Sequence, residues 1–275
     1  MPNVYSLAHL TALALPPPQL VQVAARTGYQ MVGLRLAPAA PGGRAYSLMQ
    51  DARLLAATLA CMKDLGVGVF DLELVRVGAP FRAADHLPFF EVGAKLGAKA
   101  LLVAGDDEDE ARLTASFAAL CQAAAPFGLS ADLEFMPWTK VPDARTALRI
   151  VLGAAQPNGG VLVDALHVAR SATSLADVAA IPRQCLHYAQ ICDAPAEVPA
   201  TVEGLIHTAR CERLLPGDGG IDLAGIFSLL PRDLPISVEI PHDREVVAIG
   251  AEEWARRALA ASKRVLEKIE PHSAG

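Results

Sequence analysis

Four side chains able to hold a metal stand near the ends of four successive apolar segments in the second half of the chain. They are Glu134 in GLSADLEF, Asp164 in GGVLVDALH, Gln190 in LHYAQICD and Glu239 in PISVEIPH. Three carboxylates and an amide oxygen form a hard, oxygen-rich donor set of the kind that takes one divalent ion, Mn²⁺, Mg²⁺, Co²⁺ or Zn²⁺. A buried carboxylate without a partner is costly, so three brought together imply a cation. His167, three residues after Asp164, adds a group whose protonation changes near working pH. The plainer alternatives are ion pairs or strand-end caps for the carboxylates, an internal hydrogen bond for Gln190 and a surface or helix-capping role for His167.

Residues this far apart meet only where strand ends converge. Eight short apolar runs read as strands: Val4–Ala8, Met31–Leu36, Val67–Leu74, Ala98–Ala104, Leu129–Phe135, Gly160–Asp164, His187–Cys192 and Ile236–Ile240. Helical patterns lie between them, as at Pro18–Thr27 before Gly28, Leu48–Leu65 before Gly66, Phe89–Leu96 before Gly97 and Asp109–Phe127 before Gly128. Residues beyond Glu252 read as a last amphipathic helix with a frayed tail, Pro271–Gly275. Eight alternations predict an α/β fold, a single (β/α)₈ TIM barrel over residues 1–275, in which strand C-termini share one mouth. Side-chain parity agrees. Asp132 and Glu134 oppose Ala131 and Leu133, Asp164 opposes Val163, Gln190 opposes Ile191, and Glu239 opposes Val238 and Ile240.

Composition narrows the function classes. The chain has 275 residues, of which 52% are hydrophobic and 20% charged, enough for one large core. A net charge of −6 with no basic cluster argues against nucleic acid as a partner. No signal-peptide pattern and no long uninterrupted apolar run is present, so no membrane association is expected. Five scattered cysteines without a CxxC pair suit reduced thiols and a cytoplasmic location. Neither GxGxxG after the first strand nor GxxxxGK[ST] occurs, which removes the usual open nucleotide-binding sheet.

The chain resembles the xylose isomerase-like TIM barrels, the sugar phosphate isomerase/epimerase superfamily, which includes ketose 3-epimerases, inosose dehydratases and 3-dehydroshikimate dehydratases. The resemblance runs from LAHLTALALPPPQLVQVAARTGYQMVGLRL through LEFMPW, VDALHVARS and RLLPGDGGIDL to SVEIPHD. It implies that Glu134, Asp164, Gln190 and Glu239 bind one divalent metal and that His167 contacts substrate and exchanges a proton. Sugar epimerases of the family usually carry His on the seventh strand. Gln190 there is closer to the branch that acts on 3-dehydroshikimate.

Around this set, Arg210 in TARCERLLPG could hold a substrate carboxylate or phosphate as a fork, and is preferred to Arg213. The resemblance places an Arg of this loop near the substrate. Arg35 and Glu73 are expected to face the mouth from the second and third strands, and His242 from just past the eighth. Phe135 and Trp138 are candidates for an apolar wall over the substrate. PGDGG at 216–220 reads as a turn rather than a phosphate cradle, and the acidic run at 106–110 as a helix start.

The expected reaction is metal-assisted removal of a proton next to a carbonyl of a small polyhydroxylated substrate. It continues either as dehydration (a lyase), slightly preferred, or as isomerisation or epimerisation with Glu134 and Glu239 on opposite faces. A non-catalytic binding barrel and a DNA-repair endonuclease are the readings from other classes. The latter needs a basic groove and a richer ligand cluster. A homo-oligomer is compatible with the chain, although no interface signature is visible.

Overall fold

The structure is a computed structural model and describes residues 3–40 and 42–269. The tail read as Pro271–Gly275 lies outside them. Eight parallel strands close on themselves in sequence order: β1 (Tyr5–Leu7), β2 (Met31–Arg35), β3 (Gly68–Val77), β4 (Ala100–Gly105), β5 (Ser130–Glu134), β6 (Gly159–Asp164), β7 (Ala189–Ile191) and β8 (Ile236–Val238), with β8 pairing back onto β1. Each expected strand is present, shifted by a few residues at its ends.

Helices follow the strands. In the first half they are α1 (Pro17–Thr27), α2 (Ala52–Leu65), α3 (Leu87–Leu96) and α4 (Glu110–Ala124). The second half adds α5 (Ala144–Ala154), α6 (Ala165–Arg170), α7 (Leu175–Ala179), α8 (Val202–Cys211), α9 (Leu223–Ser228), α10 (Asp243–Ile249) and α11 (Ala251–Leu266). Gly28 and Gly66 end α1 and α2 in the left-handed conformation, φ +93° and +69°, which releases the chain into the next strand. The acidic run 106–110 is indeed a helix start, with Asp109 capping α4 by accepting from the Arg112 N–H.

The aliphatic parity of each strand packs outward against the helices, where residues such as Leu34, Leu72, Val103, Leu133, Val163 and Ile191 form the main core. The opposite parity fills the barrel. Phe70, Leu102, Leu162 and Tyr188 make a small inner core, with the Phe70 and Tyr188 rings 5.1 Å apart. Two register shifts on β3 depart from simple alternation. Val32 pairs Val69 and Leu34 pairs Leu72, so Phe70 and Asp71 together oppose Gly33. Leu72 pairs Leu101 and Val75 pairs Val103, so Glu73 and Leu74 together oppose Leu102. Bulges of this kind re-aim side chains, and here they turn Asp71 and Glu73 away from the outer core. A Cβ on Gly33 would lie 2.9 Å from Asp71 Oδ1, so glycine is what leaves room for that carboxyl group. No helix among the described residues is long and apolar enough to cross a membrane.

Candidate active site and metal centre

The C-terminal ends of the strands surround a cavity that opens to solvent. Glu134, His167, Trp138, Arg35, Arg210 and Glu239 line it, so six of the residues singled out from the sequence converge there. Met136, Arg76 and Arg213 line it as well. Asp164 and Gln190 are fully buried side by side, as ladder partners on β6 and β7.

Asp164 does two jobs. Its Oδ1 accepts the Leu166 N–H at 2.7 Å and caps α6; its Oδ2 accepts from Arg213 at 2.7 Å. The helix it starts carries His167 into the mouth. Glu134, Asp164 and His167 each offer a ligand atom, and these atoms lie within 4.8 Å of one another. His167 Nε2 lies 3.6 Å from Glu134 Oε1, beyond hydrogen-bond range, and its Nδ1 has no partner. The Trp138 ring meets the His167 ring edge-on at 5.1 Å. Gln190 is buried with neither amide atom hydrogen-bonded. A buried amide is normally satisfied, so this one has hydrogen-bonding or ligating capacity left open.

Arg213 changes the electrostatic picture expected from the sequence. It follows α8, is 2% exposed, and reaches both Asp164 Oδ2 and Glu239 Oε2 at 2.7 Å. Two of the three metal-capable carboxylates therefore already have a counter-charge within the chain. Contrary to the expectation of three unpaired carboxylates, only Glu134 lacks such a partner. Carboxyl groups remain in excess even so. Five carboxyl groups (Asp71, Glu73, Glu134, Asp164 and Glu239) and two guanidinium groups (Arg35 and Arg213) are buried here, leaving an excess of three carboxyls. Arg35 meets Glu73 at 2.5 Å.

The protonation tendencies follow. Burial, the charge of Glu239 and that of Asp164 push Glu134 well above the ordinary carboxyl range. Burial raises Glu239 to about 7, with Arg213 opposing the rise and Glu73 adding to it. Burial would raise Asp164 too, but Arg213 and the Leu166 N–H hold it below its usual value. Burial lowers His167 to about 4, so its imidazole is neutral at neutral pH.

The other candidates fall as follows. Arg210, on α8, lines the cavity, is half-buried, and makes no ion pair among the described residues; burial and the nearby Arg35 and Arg76 disfavour its charge. Arg76 is ion-paired with Asp106. Phe135 is buried in the outer core, and Met136 rather than Phe135 joins Trp138 at the cavity wall. His242 is not among the cavity-lining residues. It precedes α10, bridges through its backbone to Glu212, and packs edge-on against Trp254 at 5.6 Å. The PGDGG segment wraps an internal anion instead of an external one. Asp193 accepts from the N–H groups of Gly217, Gly219 and Ile221, and its backbone bridges to Leu214 beside Arg213. The burial of Arg213 depends on this loop folding onto Asp193, a contact that local sequence does not signal.

Comparisons with known proteins fit the barrel. A search of curated proteins finds no match. Among solved structures, a "xylose isomerase-like TIM barrel/4-hydroxyphenylpyruvate dioxygenase fusion protein" superposes with TM-score 0.80 at 20% identity, covering 100% of this chain and 46% of the other. This chain thus spans about half the length of that fusion protein. The IolI protein, solved with a bound zinc atom, superposes with TM-score 0.79 at 18% identity, covering 98% and 99% of the two chains. D-allulose 3-epimerase from Methylomonas sp., solved with D-allulose, gives TM-score 0.70 at 17% identity, covering 96% and 97%. At these identities the likeness is one of fold. The family profile described as xylose isomerase-like TIM barrel matches residues 21–265, nearly the whole closed barrel and all four metal-capable strand ends. On that match, the chain belongs to the xylose isomerase-like TIM barrel family.

Proposed function

We propose that the mouth of the barrel is a divalent-metal active centre that removes a proton next to a carbonyl of a small polyhydroxylated substrate. Dehydration of a hydroxylated cyclic carbonyl acid of the 3-dehydroshikimate type is the preferred reaction. The observation that carries the reading is Gln190, a fully buried amide with no partner, set beside Asp164 among an excess of carboxyl groups. Glu134, Asp164, Gln190 and Glu239 would hold the ion, and their oxygen atoms suit Mn²⁺, Mg²⁺, Co²⁺ or Zn²⁺. When bound, the ion supplies Lewis-acid polarisation of the substrate carbonyl and its adjacent hydroxyl.

The chain's own groups supply the rest. Neutral His167 accepts the proton at Nε2, where it faces Glu134. The protonated His167 can then return that proton to the departing β-hydroxyl, which leaves as water. Arg210 binds the anionic end of the substrate, and Trp138 with Met136 limits water at the cavity wall. Arg210 and Gln190 together favour dehydration of an acid over epimerisation of a neutral sugar.

A second reading, isomerisation or epimerisation, is supported by Glu134 ending β5 and Glu239 following β8, two non-adjacent strands, with both side chains lining the cavity. One would take a proton from one face and the other return it to the opposite face. The test is to reconstitute the protein with Mn²⁺ or Co²⁺ and follow 3-dehydroshikimate by ultraviolet absorbance, with Glu134→Ala as control. Metal-dependent growth of a catechol absorbance, absent in the variant, supports dehydration. Turnover of a ketose or inosose without it favours the second reading.

A further inference from the structure

Arg213 sits where a cation is wanted. Its guanidinium meets Asp164 Oδ2 and Glu239 Oε2 at 2.7 Å each, and its Nε donates to the Ala209 carbonyl at 2.8 Å. The guanidinium remains charged at any working pH. Its backbone is fixed from both sides, through the Pro241 carbonyl and the Asp193–Leu214 bridge. This is an anchored internal cation and not a surface arginine folded inward.

We propose that Arg213 is a built-in competitor for the divalent ion and thereby sets how tightly this chain holds it. The proposal rests on the reading of the mouth as a divalent-metal centre. Arg213 satisfies one oxygen on each of two proposed ligands, so the ion-free protein folds without leaving those carboxylates unpaired. The same positive charge, a bond length from two ligands, repels an arriving divalent ion and must yield its hydrogen bonds or share the carboxylates. The arrangement exchanges metal affinity for stability of the ion-free state.

The test is calorimetric titration of Mn²⁺ into metal-free wild type, Arg213→Gln and Arg213→Lys, with thermal melting of each before and after loading. Loss of the charge in Arg213→Gln is expected to tighten Mn²⁺ binding by at least about tenfold. It should also lower the melting temperature of the ion-free protein and enlarge the rise on loading. Arg213→Lys, which keeps the charge, should bind within a few-fold of wild type. Equal or weaker binding by a folded Arg213→Gln, with wild type binding normally, overturns the proposal and leaves the metal centre standing. Absence of binding in all three proteins overturns both. Should Arg213→Gln fail to fold, nitrogen-15 spectra of wild type decide the matter. The Arg213 guanidinium signal, identified by its loss in Arg213→Lys, is expected to shift on addition of Zn²⁺, and an unchanged signal at saturation overturns the competition.

Discussion

His167 holds its Nε2 3.6 Å from Glu134 Oε1, with its Nδ1 free and its ring in a T-shaped contact with that of Trp138. The pair is close enough to share a substrate proton but is not hydrogen-bonded. Both groups are therefore available to a ligand that reaches them from the cavity. Burial keeps His167 neutral, with a pKa of about 4, while burial and the neighbouring carboxylates push Glu134 upward.

Replacing His167 by Asn should consequently lower kcat by about 10²- to 10⁴-fold. Mn²⁺ binding should stay within a few-fold of wild type, because His167 is outside the proposed ligand set. Steady-state rates beside a metal titration check both halves. Loss of metal binding in this variant would place His167 among the ligands.

Arg210 faces the same cavity without an ion pair among the described residues. Arg210→Gln is expected to raise KM for a carboxylate-bearing substrate by about tenfold to a hundredfold, the worth of a charged hydrogen bond. The effect should vanish with the methyl ester of that substrate. A comparison of the two substrates on the two proteins reads it directly.

Much of this was legible in the sequence. Short aliphatic runs, several of them just after a helix-ending Gly, marked the eight strands, because a buried parallel strand needs a continuous outward face and a helix before it needs a left-handed exit. Strand parity then pointed Glu134, Asp164, Gln190 and Glu239 away from that face. Three features were not legible. The β3 bulges that turn Asp71 and Glu73 inward depend on pairing with β2 and β4. The choice between Arg213 and Arg210 depends on a loop fold, and a residue three places along an ending helix can point to carboxylates or to solvent. His242 follows a strand end as the ligands do, but the turn into α10 carries it towards Trp254.

Asp71 has both carboxyl oxygens buried without a partner, and burial with the charges of Glu73 and Glu239 raises it well above the ordinary range. The folded state thus binds a proton that the unfolded state releases above a pH of about 4. That contribution is full below the unfolded value and is lost as pH rises towards the folded one. Asp71→Asn, measured in the ion-free protein, should raise the melting temperature at pH 8 and change it little at pH 4. A variant equally destabilised at both pH values would show that the carboxyl group has a hydrogen-bonding role instead.

Asp193 gathers four N–H groups, from Ala194, Gly217, Gly219 and Ile221, onto one carboxylate. A Cβ on Gly219 would collide with that carboxylate and with the Ala194 carbonyl. Asp193→Ala should cost about 2–4 kcal/mol, since it leaves buried donors unpaired. It should also loosen the segment that carries Arg213. Chemical denaturation measures the first effect, and proteolysis within residues 213–221 the second.

The most direct test of the account is diffraction at the Mn²⁺ or Co²⁺ absorption edge from crystals of the loaded protein. One anomalous peak per chain is expected at the barrel mouth, ligated by Glu134, Asp164, Gln190 and Glu239. A peak elsewhere, or none at a concentration that saturates the protein in solution, would contradict it.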